Sequence, residues 1–114
     1  MAEIVIRKGP SGGLIRIGQK APLSETVEAH VQGDYAALFR PRLNRWSITH
    51  VPTGVAVALA PTEADGMAAV EALQLVHISA GYDDDNGLQW PNLREDVRLL
   101  KDVLGRFAWF EGGA

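Results

Sequence analysis

The sequence predicts an α+β protein, in which an antiparallel sheet of about five to seven strands carries two helices on one face. Short runs of alternating apolar and polar residues fill the first half of the chain, as in half-buried strands. Two segments with apolar residues at helical spacing fill the second half. A length of 114 residues suits a single domain over residues 1–114.

The first predicted strand is Glu3–Arg7, where apolar and polar residues alternate. The Gly- and Pro-rich run at residues 9–13 predicts a turn, because these residues adopt the backbone angles that turns require. Leu14–Ile17 then follows as the returning strand of a hairpin.

The segment Leu23–Val31 is open to two interpretations. Ser24 followed by Glu25 is compatible with the start of a helix, but the alternation of apolar and polar residues favours a strand with one wet face. A turn at residues 32–34 leads into a further strand at Tyr35–Arg40.

The clearest hairpin follows. Trp46–Val51 alternates, and Val55–Leu59 returns after the turn Pro52–Gly54, where proline presets its φ and glycine can adopt a positive φ. The small residues Ala56 and Ala58 share one face of the returning strand, which would let a helix approach closely.

The first helix is predicted from Thr62 to Ala80. Thr62 can cap its N-terminus, and Asp65 favours the positive end of the helix dipole. Gly81 is a natural stop. Apolar residues cover a wide arc of this helix, which predicts packing on the sheet.

Residues 82–90 are predicted to form an acidic loop. Asn92 then caps the second helix, Glu95 completes an arrangement close to a capping box, and Gly105 ends the helix. The closing run at residues 106–110 is apolar enough for a last strand or a docked tail.

The net charge is −3, and the chain has no cysteine. Residues 1–61 carry a charge of +3 and residues 62–114 a charge of −6, which marks either a binding face or ordinary solvated helices. The lack of cysteine excludes disulfides and metal sites with sulfur ligands. Because the N-terminal residues lack the features of a signal peptide and no run could span a membrane, we expect a cytoplasmic protein.

Two segments that suggest ligand-binding loops fail the tests for them. Residues 9–13 are not followed by the Lys and the Ser or Thr of a phosphate-binding loop. In the run Asp83–Gly87, taking Gly87 as the sixth position places Tyr82 and Leu93 where a calcium loop needs carboxylates. We therefore predict no metal and no cofactor.

The three histidines, His30, His50 and His77, do not have the spacing of a metal site. A histidine without an identifiable partner is usually structural, and the partners of a catalytic histidine converge only in three dimensions. A small enzyme with a His and Asp site is therefore kept as the second alternative function.

Aromatic residues dominate the energetics of protein interfaces, although a domain of this size also needs its large side chains for the core. The candidate protein contacts are one aromatic and one acidic cluster: Phe107, Trp109, Phe110, Asp83, Asp84 and Asp85.

Arginine beside aromatic residues is typical of nucleic-acid contact. The candidate residues for such contact are Arg40, Arg42, Arg45 and Trp46. If the first hairpin lies alongside, the patch would also include Arg7, Lys8, Arg16 and Lys20. Against this interpretation, the protein as a whole is acidic.

Residues 46–54, which read Trp-Ser-Ile-Thr-His-Val-Pro-Thr-Gly, run into a strand and an Ala-rich helix capped by Thr62. This arrangement resembles a strand–turn–strand–helix unit of small phage and mobile-element proteins, over residues 46–80. The resemblance implies an accessory protein that binds a host or replication protein, including as an inhibitor of host defence. It implies no functional residue.

The sequence thus predicts a non-enzymatic protein-binding module, whose partner is another protein or a second copy in a homodimer. A nucleic-acid-binding protein is the first alternative. No membrane partner is expected.

Overall fold

The computed structural model describes residues 1–8, 15 and 17–105. Their strands and helices follow in the order β1 (Ala2–Lys8), β2 (Leu23–Gln32), β3 (Tyr35–Arg40), β4 (Arg45–His50), β5 (Val55–Ala60), α1 (Glu63–Leu73), β6 (Gly81–Asp83), β7 (Gly87–Gln89) and α2 (Leu93–Leu104). Strands β1 to β5 form one five-stranded antiparallel sheet in chain order, and β6 and β7 form a separate two-stranded sheet. The predicted α+β class and antiparallel sheet are confirmed.

Strand β2 changes partner along its length. Residues 23–29 pair with β1, whereas residues 30–32 pair with β3. A strand that leaves one neighbour for another marks a corner, where a sheet folds over itself. Ile6 and Ala29 of the β1–β2 ribbon accordingly pack with Leu38 of β3 in a small second core.

The turn between β4 and β5 contacts this ribbon. Gly54 has a left-handed backbone with a φ of 78°, and its N–H donates to the carbonyl oxygen of His50 at 2.7 Å. A β-carbon at Gly54 would also collide with the carbonyl oxygen of Arg7 in β1. Glycine alone meets both demands.

Alternate residues of β3 face the two cores, because side chains of a strand point to opposite faces in turn. Ala36 belongs to the second core, whereas Tyr35 and Ala37 belong to the main core. Helix α1 covers the main-core face of the sheet. The main core includes Tyr35, Ala37, Ile48, Val57, Val70, Leu73, Leu88, Trp90 and Leu100.

Helix α1 begins as predicted. The side chain of Thr62 accepts a hydrogen bond from the Asp65 N–H at 3.1 Å. At Gly66 a β-carbon would lie 3.2 Å from the Cβ of Trp46 and 3.3 Å from the Cβ of Ala37. The missing side chain therefore lets the helix backbone lie close against β3 and β4.

The end of α1 differs from the prediction, since the helix stops at Leu73 and not at Ala80. Ile78 is β-branched, which lowers helix propensity. The N–H of Ser79 donates to a carboxylate oxygen of Asp96 at 2.7 Å rather than to a helical carbonyl group. A tertiary contact thus replaces the last predicted turns.

The strict alternation predicted for the β5 segment is wrong. The pairing of β4 and β5 shifts between Ile48 and Thr49. As a result, the adjacent residues Val57 and Ala58 are both buried in the main core. A bulge of this kind breaks the two-residue period of a strand.

Two predicted connections are also corrected. Strand β1 pairs with β2. Residues 14 and 16 of the predicted returning strand lie outside the described residues, and Ile17 makes a parallel bridge with Leu88. Residues 82–90 form the β6–β7 hairpin rather than a loop, and Gly87 turns the chain with a φ of 74°. The strands of this hairpin are too short to show a two-residue period in the sequence.

Helix α2 ends before Gly105 as predicted, but Asn92 makes no side-chain cap hydrogen bond. The helix packs against α1, and its placement on the face of the sheet stays a prediction. In the part of the chain that the structure describes, no helix is long and apolar enough to cross a membrane.

One carboxylate ties α2 to the rest of the molecule. Oδ2 of Asp96 accepts hydrogen bonds from the N–H and the hydroxyl group of Ser79, both at 2.7 Å, and from Nε1 of Trp90 at 2.9 Å. Partial burial raises the pKa of Asp96, but these hydrogen bonds outweigh it and hold the pKa below its ordinary value.

Candidate functional site

The predicted protein contacts fall in two places. Phe107, Trp109 and Phe110 lie outside the described residues. Asp83, Asp84 and Asp85 lie at the β6–β7 turn, with exposed side chains. Hydrogen bonds from the backbone and side chain of Asn86 lower the pKa of Asp83, so this carboxylate holds the turn. Within residues 1–8, 15 and 17–105, no three His, Asp or Glu side chains are grouped to hold a metal ion.

The structure divides the predicted arginine cluster. The guanidinium group of Arg40 lies 3.1 Å from a carboxylate oxygen of Glu25, so Arg40 is engaged within the fold. Arg42 and Arg45 are exposed at the β3–β4 turn. Neither forms an ion pair with a described residue, and Arg45 donates only to the neighbouring carbonyl oxygen of Asn44.

Trp46, the aromatic member of that cluster, is a packing residue. Its ring lies between those of His30 and Phe39, with centroid distances of 5.8 and 5.6 Å. Helix α1 contacts its Cβ at Gly66. The ring is half-buried and already contacts two neighbouring rings, which leaves it less surface for stacking on a base.

Strand β1 brings one further cation to the cluster, because Lys8 and Arg40 contact the two oxygens of the same Glu25 carboxylate. The guanidinium carbon of Arg7 lies 3.6 Å from the ring centroid of Tyr82, and Nη1 of Arg7 donates to the carbonyl oxygen of Ala21. Lys8 lies 3.5 Å from Glu25. Arg16 lies outside the described residues.

His50 and Thr53 have the geometry of a base beside a hydroxyl nucleophile. Nδ1 of His50 lies 2.8 Å from Oγ1 of Thr53. However, His50 is 3% exposed and Thr53 is 0% exposed, so no substrate can reach the hydroxyl group. Burial lowers the pKa of His50, which keeps the ring neutral. This pair is therefore structural.

The other two histidines have carboxylate partners that the sequence could not identify. Nε2 of His30 lies 3.0 Å from Oε2 of Glu63, at the first residue of α1. Nδ1 of His77 lies 3.4 Å from Oδ2 of Asp34, in the β2–β3 turn. The first pair joins the start of α1 to β2, and the second joins the segment after α1 to the β2–β3 turn.

Helix α1 exposes apolar residues on the side away from the sheet. Gly66, Ala69, Val70 and Leu73 are buried. The opposite side carries Ala64, Met67, Ala68, Glu71 and Ala72, and the exposed Leu75 follows in the turn after the helix ends at Leu73. We call these six residues together the α1 outer face. Met67 is 46% exposed and Leu75 is 83% exposed. Neither Lys nor Arg occurs in α1, so the only charges along this helix are acidic.

A groove borders the α1 outer face. It has a volume of about 330 Å³ and lies between the first residues of β1, the end of β2 and one side of α1. Apolar residues make up most of its lining, including Met1, Val31, Met67 and Val70. Among the described residues, Glu71 is the one acidic residue of its lining. We call this the β2–α1 groove.

The β3–β4 turn forms a second exposed surface, which we call the hairpin tip: Arg42, Leu43 and Arg45, with Phe39 beside them. Leu43 is 53% exposed and Phe39 is 44% exposed. The Leu43 N–H donates to the carbonyl oxygen of Arg40 at 3.1 Å. Asn44 adopts a left-handed φ of 51°. The tip therefore has one defined backbone conformation.

No protein-family model, curated protein or solved structure matches the chain. The resemblance of residues 46–80 to units of phage and mobile-element proteins therefore stays a prediction. Strand β4, its turn, strand β5 and the Thr62-capped helix α1 do follow in the expected order.

Proposed function

We propose that the chain is a non-enzymatic protein-binding module, and that it binds its partner through the α1 outer face and the β2–α1 groove. One observation carries the proposal. Helix α1 is apolar on its buried side and largely apolar on its exposed side. A surface helix ordinarily presents charged residues to water, and an exposed apolar patch marks an interaction site.

The charge of this surface defines the chemistry of the partner. Glu71 is exposed on α1, and the helix contains no Lys or Arg, whereas Glu63 at its first residue already contacts His30. A basic segment with apolar side chains would complement this surface. Two copies could not pair through their α1 outer faces without bringing like charges together, which disfavours a symmetric contact between these faces.

The β2–α1 groove supplies the anchoring position. Met1 and Met67 line it, and methionine side chains adapt their shape to different apolar groups. Interfaces gain most of their binding energy where a large apolar side chain fills such a pocket. We expect the partner to place one apolar side chain in this groove.

The nucleic-acid alternative has less support. Arg40 is paired with Glu25, and the ring of Trp46 is held by its neighbours. Lys8 and Arg40 share Glu25, so Arg42 and Arg45 are the members of the cluster without a carboxylate partner among the described residues. Affinity for a phosphate backbone grows with the number of cations on one face. We further propose that the chain is a cytoplasmic accessory protein or an inhibitor of its partner. The identity and the location of the partner test this role.

Position-specific photo-crosslinking in the native cell tests the proposal. A photoreactive phenylalanine analogue replaces Ala68 on the α1 outer face or, as a control, Thr26 on the exposed side of β2. We expect one protein to be labelled from position 68 and not from position 26. Adding Leu75→Asp should reduce that labelling at least ~10-fold, because it places a carboxylate in the apolar contact.

Three results would contradict the proposal. They are equal labelling from both positions, labelling that Leu75→Asp leaves unchanged, and labelled products that disappear with nuclease. The last result would favour the nucleic-acid alternative. Circular dichroism of each variant establishes that the fold is retained before labelling is compared.

A further inference from the structure

We infer that the hairpin tip of one copy of this chain binds the α1 outer face of a second copy, and that the reciprocal contact closes a dimer. The inference rests on the proposed function of the α1 outer face and names its partner. Both halves of the contact lie on the described surface: one is basic and apolar, and the other is acidic and apolar.

The charges of the two surfaces are complementary. Arg42 and Arg45 flank Leu43 at the hairpin tip, and neither has a carboxylate partner among the described residues. Of the residues that the structure describes, Glu71 is the one acidic residue that lines the β2–α1 groove. Arginine at the tip and glutamate at the groove would pair between copies, which gives specificity and register.

The apolar groups are complementary as well. Leu43 projects from the apex of a turn, where its side chain is 53% exposed. The groove is lined mainly by apolar side chains, including Met1, Met67 and Val70. We expect Leu43 of one copy to fill the groove of the other, with Phe39 against the rim.

The tip is preorganised for this contact. Hydrogen bonds from the N–H groups of Leu43 and Asn44 to the carbonyl oxygens of Arg40 and Pro41 close the turn. Proline fixes its own φ, and Arg40 is anchored to Glu25 on the adjacent ribbon. A rigid loop loses little conformational entropy on binding, which favours association.

The geometry also distinguishes this contact from pairing of identical surfaces. The tip and the α1 outer face are different parts of the chain, so a single contact would be heterologous. In a two-fold dimer each copy inserts its tip into the groove of the other. Two contacts then form together and strengthen one another through effective concentration.

Charge reversal in complementary pairs tests the inference. The tip-reversed chain carries Arg42→Glu and Arg45→Glu. The face-reversed chain carries Glu71→Arg and Gln74→Arg, at exposed positions near the C-terminus of α1, where cations favour the helix dipole. Sedimentation is measured over a wide concentration range at low and high salt, with circular dichroism to establish the fold.

We expect wild-type chains to dimerise reversibly, with weaker association at high salt. Each reversed chain alone should associate at least ~10-fold more weakly, because tip and face then carry like charges. An equimolar mixture of the two should dimerise again, since the acidic tip meets the basic face and the basic tip meets the acidic face.

A wild-type chain that stays monomeric at low salt would overturn the inference. So would reversed chains that dimerise like the wild type, or a folded mixture that stays monomeric. Photo-crosslinking from position 68 separates the two proposals. Labelling of a different protein would refute self-association and leave the proposed function standing, whereas no labelling would refute both.

Discussion

At the scale of single residues, Tyr35 stands out, because its hydroxyl group is buried and has no hydrogen-bond partner among the described residues. Burial, together with the charges of Asp34 and Asp96, raises the pKa of this hydroxyl group, so it stays protonated. We expect Tyr35→Phe to leave the free energy of unfolding unchanged or to raise it by up to ~1 kcal/mol, because it removes an unpaired polar group.

Tyr82 is the matched control for this prediction. Its hydroxyl oxygen accepts a hydrogen bond from the N–H of Ala21 at 2.9 Å, and Ala21 is fully buried. Tyr82→Phe should therefore lower the free energy of unfolding by about 1 kcal/mol or more. Urea denaturation measures both variants. A larger loss of unfolding free energy for Tyr35→Phe than for Tyr82→Phe would contradict the conclusion that the Tyr35 hydroxyl group has no hydrogen-bond partner among the described residues.

Residue roles that depend on neighbours in the chain could be predicted, and roles that depend on distant contacts could not. The cap at Thr62 was predictable because its partner, Asp65, lies three residues away. The ion pair between Arg40 and Glu25 instead joins β3 to β2, and the two residues lie far apart in the sequence. No pattern in the sequence identifies that partner.

At the scale of elements, Asp96 governs how α2 is attached. Its folded pKa lies below the ordinary aspartate value of about 3.9. The ionised carboxylate therefore contributes stability above that value, and the contribution is lost as the pH falls through the folded pKa. We expect the free energy of unfolding to decrease below about pH 5, with a smaller slope in Asp96→Asn.

Urea denaturation at a series of pH values, followed by circular dichroism and tryptophan fluorescence, measures this slope. Asp84→Asn is the control, because Asp84 is exposed on the β6–β7 turn and its loss should leave the slope close to that of the wild type. Equal slopes for Asp96→Asn and the wild type would show that the hydrogen bonds from Ser79 and Trp90 do not set the acid sensitivity.

The bounds of β3, β4 and β5 could be predicted nearly to the residue, because the turn residues between them are local signals, whereas the β2 segment is also compatible with the start of a helix. The short strands β6 and β7 and the early end of α1 could not, because tertiary contacts decide them. The α1 outer face had a signal in the sequence: a helix without a single Lys or Arg. Its exposure became evident only once the buried side was known.

At the scale of the whole molecule, Gly54 couples the β4–β5 turn to the β1–β2 ribbon. Gly54→Ala introduces both a strained backbone and a collision with the carbonyl oxygen of Arg7. We expect a loss of more than ~2 kcal/mol in the free energy of unfolding, since the ribbon must shift and the second core loosens.

Gly18 provides the comparison that isolates the collision. It has nearly the same φ, 79° against 78° for Gly54, but a β-carbon there would meet nothing within 4 Å. Gly18→Ala should therefore cost only the backbone strain, about 1 kcal/mol. Equal losses for the two variants, measured by thermal and urea denaturation, would show that the contact with Arg7 does not hold the ribbon in place.

The opposite charges of the two halves of the chain could be read from the sequence, but their arrangement could not. The hairpin tip belongs to the basic half, and α1 belongs to the acidic half. The predicted acidic cluster at Asp83–Asp85 belongs to neither surface, and the predicted aromatic cluster lies outside the described residues. Which charges stay available at the surface depends on the fold. Arg40 is paired with Glu25, whereas Arg42 and Arg45 are exposed.

The order of the sheet has a consequence for how the molecule forms. Strands β1 to β5 are neighbours in the order of the chain. Short turns join β2 to β3, β3 to β4 and β4 to β5, so closing these pairings carries a small entropic cost. The bridge between Ile17 and Leu88 instead joins distant parts of the sequence. Folding rates fall as contacts become more distant in sequence. We expect the strands of the sheet to pair first during folding. The contact between residues 17–19 and β7 should form last.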